Sequence, residues 1–291
     1  MQFYLFNAFK RIKKAYKNYM SVIFFLIIRK KNIKVTLRLN GKSYIWSNLN
    51  VRNYINAVNI NYEIGSDIKF FPENDLMEFN YFGRKFKFYG FLENGWTYKE
   101  LHEFEYKDLN FKDEIVIDIG ANTGATSIYF ALNGAKKVYA IEPMPKTYSI
   151  LVKNIEINGL EEKCIPLNIG IGKRSILKVN PDTSGLGATI EKASKIPKNL
   201  VPKTVEIKNL SDLINDLNLK SCVIKLDCEG CEYDALLDLN NETFSHIKEI
   251  ILEYHHGNKN LIRYLNDMGY NVIFKSYGYR VGILYAKRNR V

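Results

Sequence analysis

Several features are scarce in this sequence, and each scarcity excludes a class of protein. The 291 residues contain four cysteines, Cys164, Cys222, Cys228 and Cys231. Four unevenly spaced cysteines are too few for a secreted disulfide framework. The longest apolar run, Val22 to Ile28, has seven residues, whereas a membrane-spanning helix needs roughly 20. We therefore expect neither a signal peptide nor a transmembrane helix.

Acidic residues are absent before Glu63, although Lys and Arg are frequent there. The first 62 residues contain twelve Lys and Arg, and the whole chain has a formal net charge of +11, so the remainder carries about −1. This asymmetry predicts an anionic partner for the N-terminal end, either a membrane face or a nucleic acid.

The first residues of the chain combine aromatic and basic side chains at helical spacing. The apolar residues that recur at three- and four-residue steps are Phe3, Phe6, Phe9, Ile12, Tyr16, Tyr19 and Ile23. Lysines fall largely between them, which predicts a basic amphipathic helix. Such a helix either binds an anionic membrane surface or packs on its own domain with its lysines in solvent. The pattern alone favours neither alternative.

The chain divides by pattern into two parts. Residues 1–111 are predicted to form the basic helix and a small β-rich module, with turns at Asn40-Gly41 and Phe82-Gly83-Arg84. From Lys112 onward strand and helix patterns alternate, which predicts an α/β domain over 112–288 with a doubly wound, mainly parallel sheet. The polar stretch from Asn180 to Val201 is expected to be a loop or hairpin insertion.

A glycine loop follows the first strand of the second part. The strand, Ile115 to Ile119, leads into Gly120-Ala-Asn-Thr-Gly124 and then a helix pattern. The loop lacks the third glycine of a dinucleotide fingerprint, and it lacks the Lys-Ser/Thr of a P-loop. Asp118 and the loop, together with Glu142 at the tip of the second strand, resemble the S-adenosylmethionine site of class I methyltransferases.

Each residue of this resemblance has an expected task in cofactor binding. Glycine lets the backbone approach the methionine portion closely, and Asp118 can face its ammonium group. Glu142 can accept hydrogen bonds from both ribose hydroxyls. Asn168, at the tip of the third strand, can meet the adenine amino group, or can have no such role. The expected cofactor-binding residues are Asp118, Gly120, Asn122, Thr123, Gly124, Glu142 and Asn168.

A second motif, VIKLDCEGCEYDALL from Val223 to Leu237, narrows the resemblance. Together with VIDIGANTG, AIEP and ILEYH, it resembles the FkbM family of S-adenosylmethionine-dependent methyltransferases over roughly Lys112 to Lys287. The resemblance implies the seven-stranded class I fold and methyl transfer to hydroxyl groups, often on sugars or natural-product scaffolds. It assigns Asp227 and Glu229 to the motif beside the transferred methyl group.

Methyl transfer to a hydroxyl needs alignment and a nearby base. Asp227, Glu229 and His255 are the expected catalytic residues, because they follow neighbouring strands at one edge of the sheet, and Glu253 is an alternative to His255 at the same edge. Alternatively, Asp227 or Glu229 caps the next helix, and His255 is a surface residue. A divalent metal between the acids is a further alternative, but we expect no metal. Cys228 and Cys231 are expected to be buried free thiols rather than a disulfide or zinc ligands.

The sequence thus predicts a cytoplasmic O-methyltransferase, with possible peripheral attachment to an anionic membrane. Its expected acceptor is a hydroxyl on a sugar, a glycan or a lipid-linked glycan. Two alternatives remain open at this point. One is an RNA ribose methyltransferase, in which the basic segment binds phosphate. The other is a non-catalytic binding protein that retains the methyltransferase fold.

Overall fold

The computed structural model describes residues 10–28, 31–39, 41–47, 50–52, 54–55, 58, 69–81, 83–90, 92, 106–183, 194–237, 239–278 and 280–289. The chain separates into two compact units, Met1–His102 and Glu103–Val291. The boundary predicted from the sequence, between residues 111 and 112, lies later in the chain than the boundary between His102 and Glu103. Tyr106 and Phe111 are buried, and each packs edge-on against Phe130 of the second unit.

The first unit contains one long described helix and two antiparallel sheets. Its elements are α1 (Tyr19–Ile28), β1 (Asn32–Thr36), β2 (Ser43–Ser47), β3 (Lys69–Phe71), β4 (Leu76–Tyr81) and β5 (Arg84–Tyr89). β1 pairs with β2, and β4 pairs with both β3 and β5. Both predicted hairpins are present, and Gly41 and Gly83 adopt positive φ angles of 74° and 72° in their turns. Asn40 and Phe82 lie outside the described residues.

The predicted N-terminal helix is interrupted, which corrects the expectation of one continuous amphipathic helix. Residues 10–15 are helical, but Tyr16 forms an isolated antiparallel bridge with Leu37 before α1 begins at Tyr19. The Tyr16 side chain is fully buried, and its hydroxyl donates to the backbone oxygen of Val51 at 2.9 Å. Tertiary packing of this aromatic residue therefore overrides the helical spacing. Phe3, Phe6 and Phe9 lie outside the described residues.

The second unit alternates strands and helices as its sequence predicts. Its elements are β6 (Ile115–Ile119), α2 (Ala125–Leu132), β7 (Lys137–Ile141), α3 (Pro145–Ile157), β8 (Cys164–Leu167), β9 (Ile169–Ile171), β10 (Ser175–Val179), β11 (Lys203–Lys208), α4 (Leu210–Asp216), β12 (Cys222–Leu226), α5 (Glu232–Leu237), α6 (Asn241–Ser245), β13 (Ile247–Tyr254), α7 (Lys259–Asp267), β14 (Tyr270–Ser276) and β15 (Gly282–Arg288).

The main sheet has seven strands in the order β14-β15-β13-β12-β6-β7-β8. The pairs among β8, β7, β6, β12 and β13 are parallel, whereas β15 runs antiparallel to both of its neighbours. This topology confirms the predicted doubly wound, mainly parallel α/β fold. A separate sheet of three strands, in the order β10-β11-β9, was not predicted.

The strand order determines where a ligand can bind. The chain runs outward from β6 to β7 and β8 on one side, and it continues from β12 to β13 on the other. The switch point between β6 and β12 opens a crevice beyond the carboxyl ends of these strands. All five residues of β12 are buried, so only the loops at the strand ends can carry solvent-accessible chemistry.

Candidate active site

The glycine loop after β6 is held in a strained shape by backbone contacts. Asn122 adopts φ of 50°, Gly120 φ of 76° and Gly124 φ of 95°. A Cβ atom on Gly120 would lie 1.8 Å from the backbone oxygen of Asp227. Glycine is therefore required at position 120 by the close approach of the β6 and β12 loops. Thr123 is buried, and its backbone oxygen accepts from Asn154 Nδ2 at 2.7 Å.

Asp118 lies beneath the loop and is fully buried. Its Oδ2 accepts hydrogen bonds from the hydroxyls of Thr126 and Ser127, both at 2.5 Å. Its Oδ1 lies 3.1 Å from the ammonium nitrogen of Lys225. Asp118 Oδ2 thus fixes the start of α2, whereas Oδ1 is ion-paired with Lys225 but makes no hydrogen bond within the described residues. Direct contact with a cofactor ammonium group stays a prediction.

Lys225 is a buried cation that the sequence interpretation missed. It lies in the middle of β12, opposite Asp118 in the parallel register, and it is 3% exposed. Its ammonium group also donates to the Gly120 backbone oxygen at 2.9 Å. The signal was present in the sequence, because Asp118 and Lys225 are the single charged residues of two adjacent apolar strands.

Glu142 connects the ends of β6 and β7. Its Oε2 accepts from the Asn122 backbone N–H at 3.1 Å, and its Oε1 accepts from the Met144 backbone N–H at 2.8 Å. Burial raises the pKa of Glu142 to about 7, although these two hydrogen bonds and Lys225 act in the opposite direction. A carboxylate has about four lone-pair positions, so Glu142 retains acceptor capacity for a pair of hydroxyls.

Two amide side chains complete the cofactor side of the crevice. Asn168 Nδ2 donates to the backbone oxygens of Glu142 and Pro143 at 2.9 and 3.1 Å. The Asn168 amide oxygen is an acceptor, as an adenine amino group requires. The Asn122 Oδ1 atom is buried and has no hydrogen-bond partner within the described part of the chain. Buried acceptors are normally satisfied, so this atom fits a ligand that brings a donor.

The other side of the crevice is formed by the loops after β12 and β13. Asp227 follows β12, and its backbone N–H donates to Ile119 of β6 at 3.0 Å. Glu229 adopts φ of 57°, a conformation that is uncommon for residues other than glycine and often marks functional sites. Its Oε2 lies 3.7 Å from His255 Nε2. The structure thus brings together Glu229 and His255, which are far apart in sequence.

Glu232 connects the loop after β12 to His255, which follows β13. It is fully buried, and its Oε1 accepts from the backbone N–H groups of Cys228 and Gly230 and lies 3.0 Å from His255 Nδ1. Burial alone would raise the pKa of Glu232, but the hydrogen bond from His255 and the imidazolium charge outweigh it, so this pKa is lowered. At the first turn of α5, Glu232 thus fixes the loop that precedes this helix.

The acids around His255 favour its charged form. Burial disfavours that form, yet the hydrogen bond to Glu232 and the charges of Glu232 and Asp227 raise the pKa of His255 to about 9. A catalytic role of His255 stays a prediction. Burial also raises the pKa of Asp227. Burial and the charge of Asp227 raise the pKa of Glu253 to about 7.

Two cysteines of the motif form a disulfide, which corrects the expectation of free thiols. Cys228 and Cys231 are bonded, with their Cα atoms 5.5 Å apart. The turn that carries Glu229 brings them within the range that disulfides need. Cys164 and Cys222 are free and buried, and burial raises the pKa of the Cys222 thiol to about 12.

Known methyltransferases are partly similar to this chain. Methyltransferase 1 of Beauveria bassiana (strain ARSEF 2860) is 25% identical over 160 residues, which cover 48% of this chain and 64% of that protein. The match therefore spans less than two thirds of that relative. Methyltransferase sdnD of Sordaria araneosa is 24% identical over 56% of this chain and 75% of its own length. The solved structure of M. jannaschii TYW2 with AdoMet has a TM-score of 0.41 at 19% identity, over 76% of this chain and 90% of that chain.

The family follows from the match to the model of the methyltransferase FkbM domain. That model matches residues 118–281, more than half of the chain. The matched range begins at the buried Asp118 and includes the glycine loop, Glu142 and both loops of the second side. The expected cofactor is S-adenosylmethionine, which fits the buried acceptors of Glu142 and Asn122. The chain belongs to the FkbM family of S-adenosylmethionine-dependent methyltransferases.

Proposed function

We propose that the protein transfers the methyl group of S-adenosylmethionine to a hydroxyl on a sugar, a glycan or a lipid-linked glycan. The main support for this proposal is that two chemically different groups of residues line the crevice at the switch point between β6 and β12. The acceptors of Glu142 and Asn122 suit a nucleoside, whereas the acids after β12 and β13 suit an acceptor that must lose a proton.

In the proposed reaction the cofactor's ribose hydroxyls donate to Glu142, and its adenine amino group donates to Asn168 Oδ1. The acceptor oxygen attacks the methyl carbon in line with the carbon–sulfur bond, so the O–C bond forms as the C–S bond breaks. The hydroxyl proton passes to Asp227, the acid that lies against the glycine loop. His255 and Glu232 orient the loop that carries these groups.

A cofactor titration and an acceptor screen test this function. Calorimetry should detect S-adenosylmethionine binding that weakens at least tenfold in Glu142→Ala, because a hydrogen-bonded charge contributes about 1.5–3 kcal/mol. Methyl-labelled cofactor should then label a carbohydrate fraction of a cell extract. Asp227→Asn should lose the transfer while it still binds the cofactor. Absence of cofactor binding would favour the non-catalytic alternative.

An RNA acceptor is the competing outcome. Two of the curated relatives that match short segments act on tRNA by name, among them an aminocarboxypropyltransferase of Pyrococcus horikoshii that is 33% identical over 90 residues. Label in RNA, with steep salt dependence of RNA binding, would overturn the carbohydrate proposal. We favour a carbohydrate because the FkbM resemblance implies hydroxyl acceptors, often on sugars.

We propose further that the first unit attaches the enzyme to an anionic membrane face. Met20, Phe24 and Ile27 of α1 are 61%, 63% and 71% exposed and lie at four- and three-residue steps. Val22 and Phe25 are buried on the other side of the helix. An apolar helix face in solvent is costly, and a lipid interface would cover it.

The basic residues before α1 and the length of α1 indicate how the first unit would bind a membrane. Lys13, Lys14 and Lys17 are exposed just before α1, and no acidic residue precedes Glu63. Among the described residues no helix is long and apolar enough to cross a membrane. The ten residues of α1 extend about 15 Å at ~1.5 Å each, half of a hydrocarbon core. The proposed mode is therefore adsorption in the plane of an anionic interface.

Vesicle sedimentation tests the attachment. The protein should pellet with vesicles that contain phosphatidylserine and should remain in solution with pure phosphatidylcholine. The Phe24→Ser/Ile27→Ser variant should lose most of this binding. Leu39→Ser is the matched control, because Leu39 is 52% exposed but lies outside α1. Equal pelleting of the wild type and the double variant would contradict the proposal.

A further inference from the structure

A compact set of possible metal ligands lies where β12 and β13 end. Asp227, Glu253 and His255 each offer one ligand atom, and these atoms all lie within 4.8 Å of one another. Three ligand atoms that are each about 2.0–2.2 Å from one ion stand on average at most roughly 3.8 Å apart. The set therefore needs to close by no more than about 1 Å to reach the widest such arrangement.

We propose that Asp227, Glu253 and His255 bind a divalent cation beside the transferred methyl group. This proposal rests on the methyltransferase function proposed above, and it differs from the expectation from sequence that no metal is bound. Two residues of the set come from β13 and its loop, and the third comes from the adjacent strand β12. A site built on the ends of neighbouring strands is held by the sheet itself.

The histidine is oriented as metal-binding histidines usually are. His255 Nδ1 lies 3.0 Å from Glu232 Oε1, which leaves Nε2 as the ligand atom, and the ion would displace the Nε2 proton to solvent. A carboxylate behind a ligating imidazole fixes the tautomer and increases its basicity. Glu232 is fully buried, and its second oxygen has no hydrogen-bond partner within the described residues. A buried carboxylate that is only half satisfied is costly, and a nearby cation would offset this cost.

The charges around the set also favour a cation. Four acidic side chains, Asp227, Glu229, Glu232 and Glu253, surround the single imidazole of His255. The buried lysine Lys225 lies 3.1 Å from Asp118 and also acts electrostatically on Asp227 and Glu253, so it offsets only part of this negative charge. Like charges that are partly buried repel strongly unless a counter-charge lies among them.

The donor set indicates which class of ion binds. Magnesium prefers oxygen ligands alone, whereas imidazole suits transition metals and carboxylate suits Mn²⁺. Two carboxylates and one imidazole therefore fit Mn²⁺ better than Mg²⁺. Three protein ligands leave further coordination positions, which an acceptor oxygen can occupy.

A cation at this position changes how the acceptor loses its proton. The metal lowers the pKa of a bound hydroxyl, so Asp227 acts as a ligand and not as the base. The proton then passes to Glu229, whose side chain is 40% exposed and lies 3.7 Å from His255 Nε2. The alkoxide oxygen bonds to the methyl carbon, the carbon–sulfur bond breaks, and the sulfonium becomes a neutral thioether.

Electron paramagnetic resonance of Mn²⁺ tests the site without any acceptor. Titration of the full chain should remove the sharp signal of free Mn²⁺ at one ion per chain. Asp227→Asn and Glu253→Gln should each raise the Mn²⁺ dissociation constant at least tenfold. Glu156→Gln is the matched control, because Glu156 is an exposed carboxylate on α3, and its Mn²⁺ affinity should stay within twofold of wild type.

Cofactor binding, measured by calorimetry on the same samples, separates the two proposals. Wild-type protein that binds S-adenosylmethionine but leaves the Mn²⁺ signal unchanged would overturn the metal site alone. Mn²⁺ binding without cofactor binding would overturn the proposed function and leave the site intact. Equal Mn²⁺ affinity in wild type and both variants, with circular dichroism confirming that they fold, would also overturn the site.

Discussion

The buried pair of Asp118 and Lys225 joins the two sides of the crevice, and Lys225→Met tests its importance. Methionine has a similar length but no charge. The substitution removes the ammonium group that lies 3.1 Å from Asp118 Oδ1 and 2.9 Å from the Gly120 oxygen. It leaves the Asp118 carboxylate, which is fully buried, without its counter-ion.

The structure sets the size of the expected effect. Removal of one partner of a buried ion pair costs about 3–5 kcal/mol of unfolding free energy. Asp118 keeps its hydrogen bonds from Thr126 and Ser127, so we expect the lower end, about 3 kcal/mol. Asp118→Asn leaves a buried ammonium group and should cost a similar amount. The double variant carries neither charge and should cost only about 1 kcal/mol, because replacing both partners is often close to neutral.

Urea denaturation followed by far-ultraviolet circular dichroism measures these values. Fluorescence is less suitable, because both tryptophans, Trp46 and Trp96, belong to the first unit. Lys136→Met is the control, since Lys136 is exposed and surface changes cost at most about 0.5 kcal/mol. A loss below about 1 kcal/mol in Lys225→Met would refute the reasoning. A double variant as unstable as the sum of the single variants would refute it equally.

Three further predictions follow from the site. Folding raises the pKa of Glu142 from 4.5 to about 7. The protonated Glu142 side chain therefore stabilises the cofactor-free protein fully below pH 4.5, and this contribution to the free energy of unfolding is lost as the pH rises through 7. Cofactor affinity should conversely rise, by about tenfold, between pH 6 and 8, and calorimetry of Glu142→Gln should show no such rise. Gly120→Ala would place a Cβ atom 1.8 Å from a backbone oxygen and should abolish cofactor binding. Gly159→Ala is the control, because Gly159 has φ of 65° but no neighbour within 4 Å of its added Cβ atom. Thermal denaturation should show that Gly159→Ala lowers the free energy of unfolding by only about 1–2 kcal/mol. Reduction of the Cys228–Cys231 disulfide, which closes a loop of sequence separation 3, should lower stability by about 2 kcal/mol, and the double serine variant should not respond to reductant.

The fold was predictable because apolar strand runs and helix patterns alternate over the whole second unit. The glycine loop was equally predictable, since Gly120 and Gly124 follow a buried strand at fixed spacing. The small sheet of β9, β10 and β11 was not, because its strands are short and pair across a polar segment. The helix break at Tyr16 was also missed, because its cause is a contact with Val51 that is remote in sequence.

The roles of charged residues were the least predictable part of the site. Sequence placed His255 at the correct edge of the sheet, but its protonation depends on Glu232, which lies 23 residues away and 3.0 Å from its ring. The task of Asp118 likewise depends on Lys225, which pairs with it across two strands. Spacing identifies which residues meet at a strand edge, but pKa values depend on burial and on distances that only the folded chain defines.

These contacts also explain how two chemically different sides can be aligned for one transfer. Methyl transfer requires the attacking atom of the acceptor, the methyl carbon and the sulfur to be nearly collinear, and small displacements are costly. The Gly120 oxygen and Asp118 share the Lys225 ammonium group, and the Asp227 backbone N–H donates to Ile119 of β6. The glycine loop after β6 and the loop after β12 are therefore connected by buried contacts and not through solvent. A change at Lys225 should accordingly slow methyl transfer even where the cofactor still binds, because it loosens the alignment of the two loops without removing a group that touches either substrate.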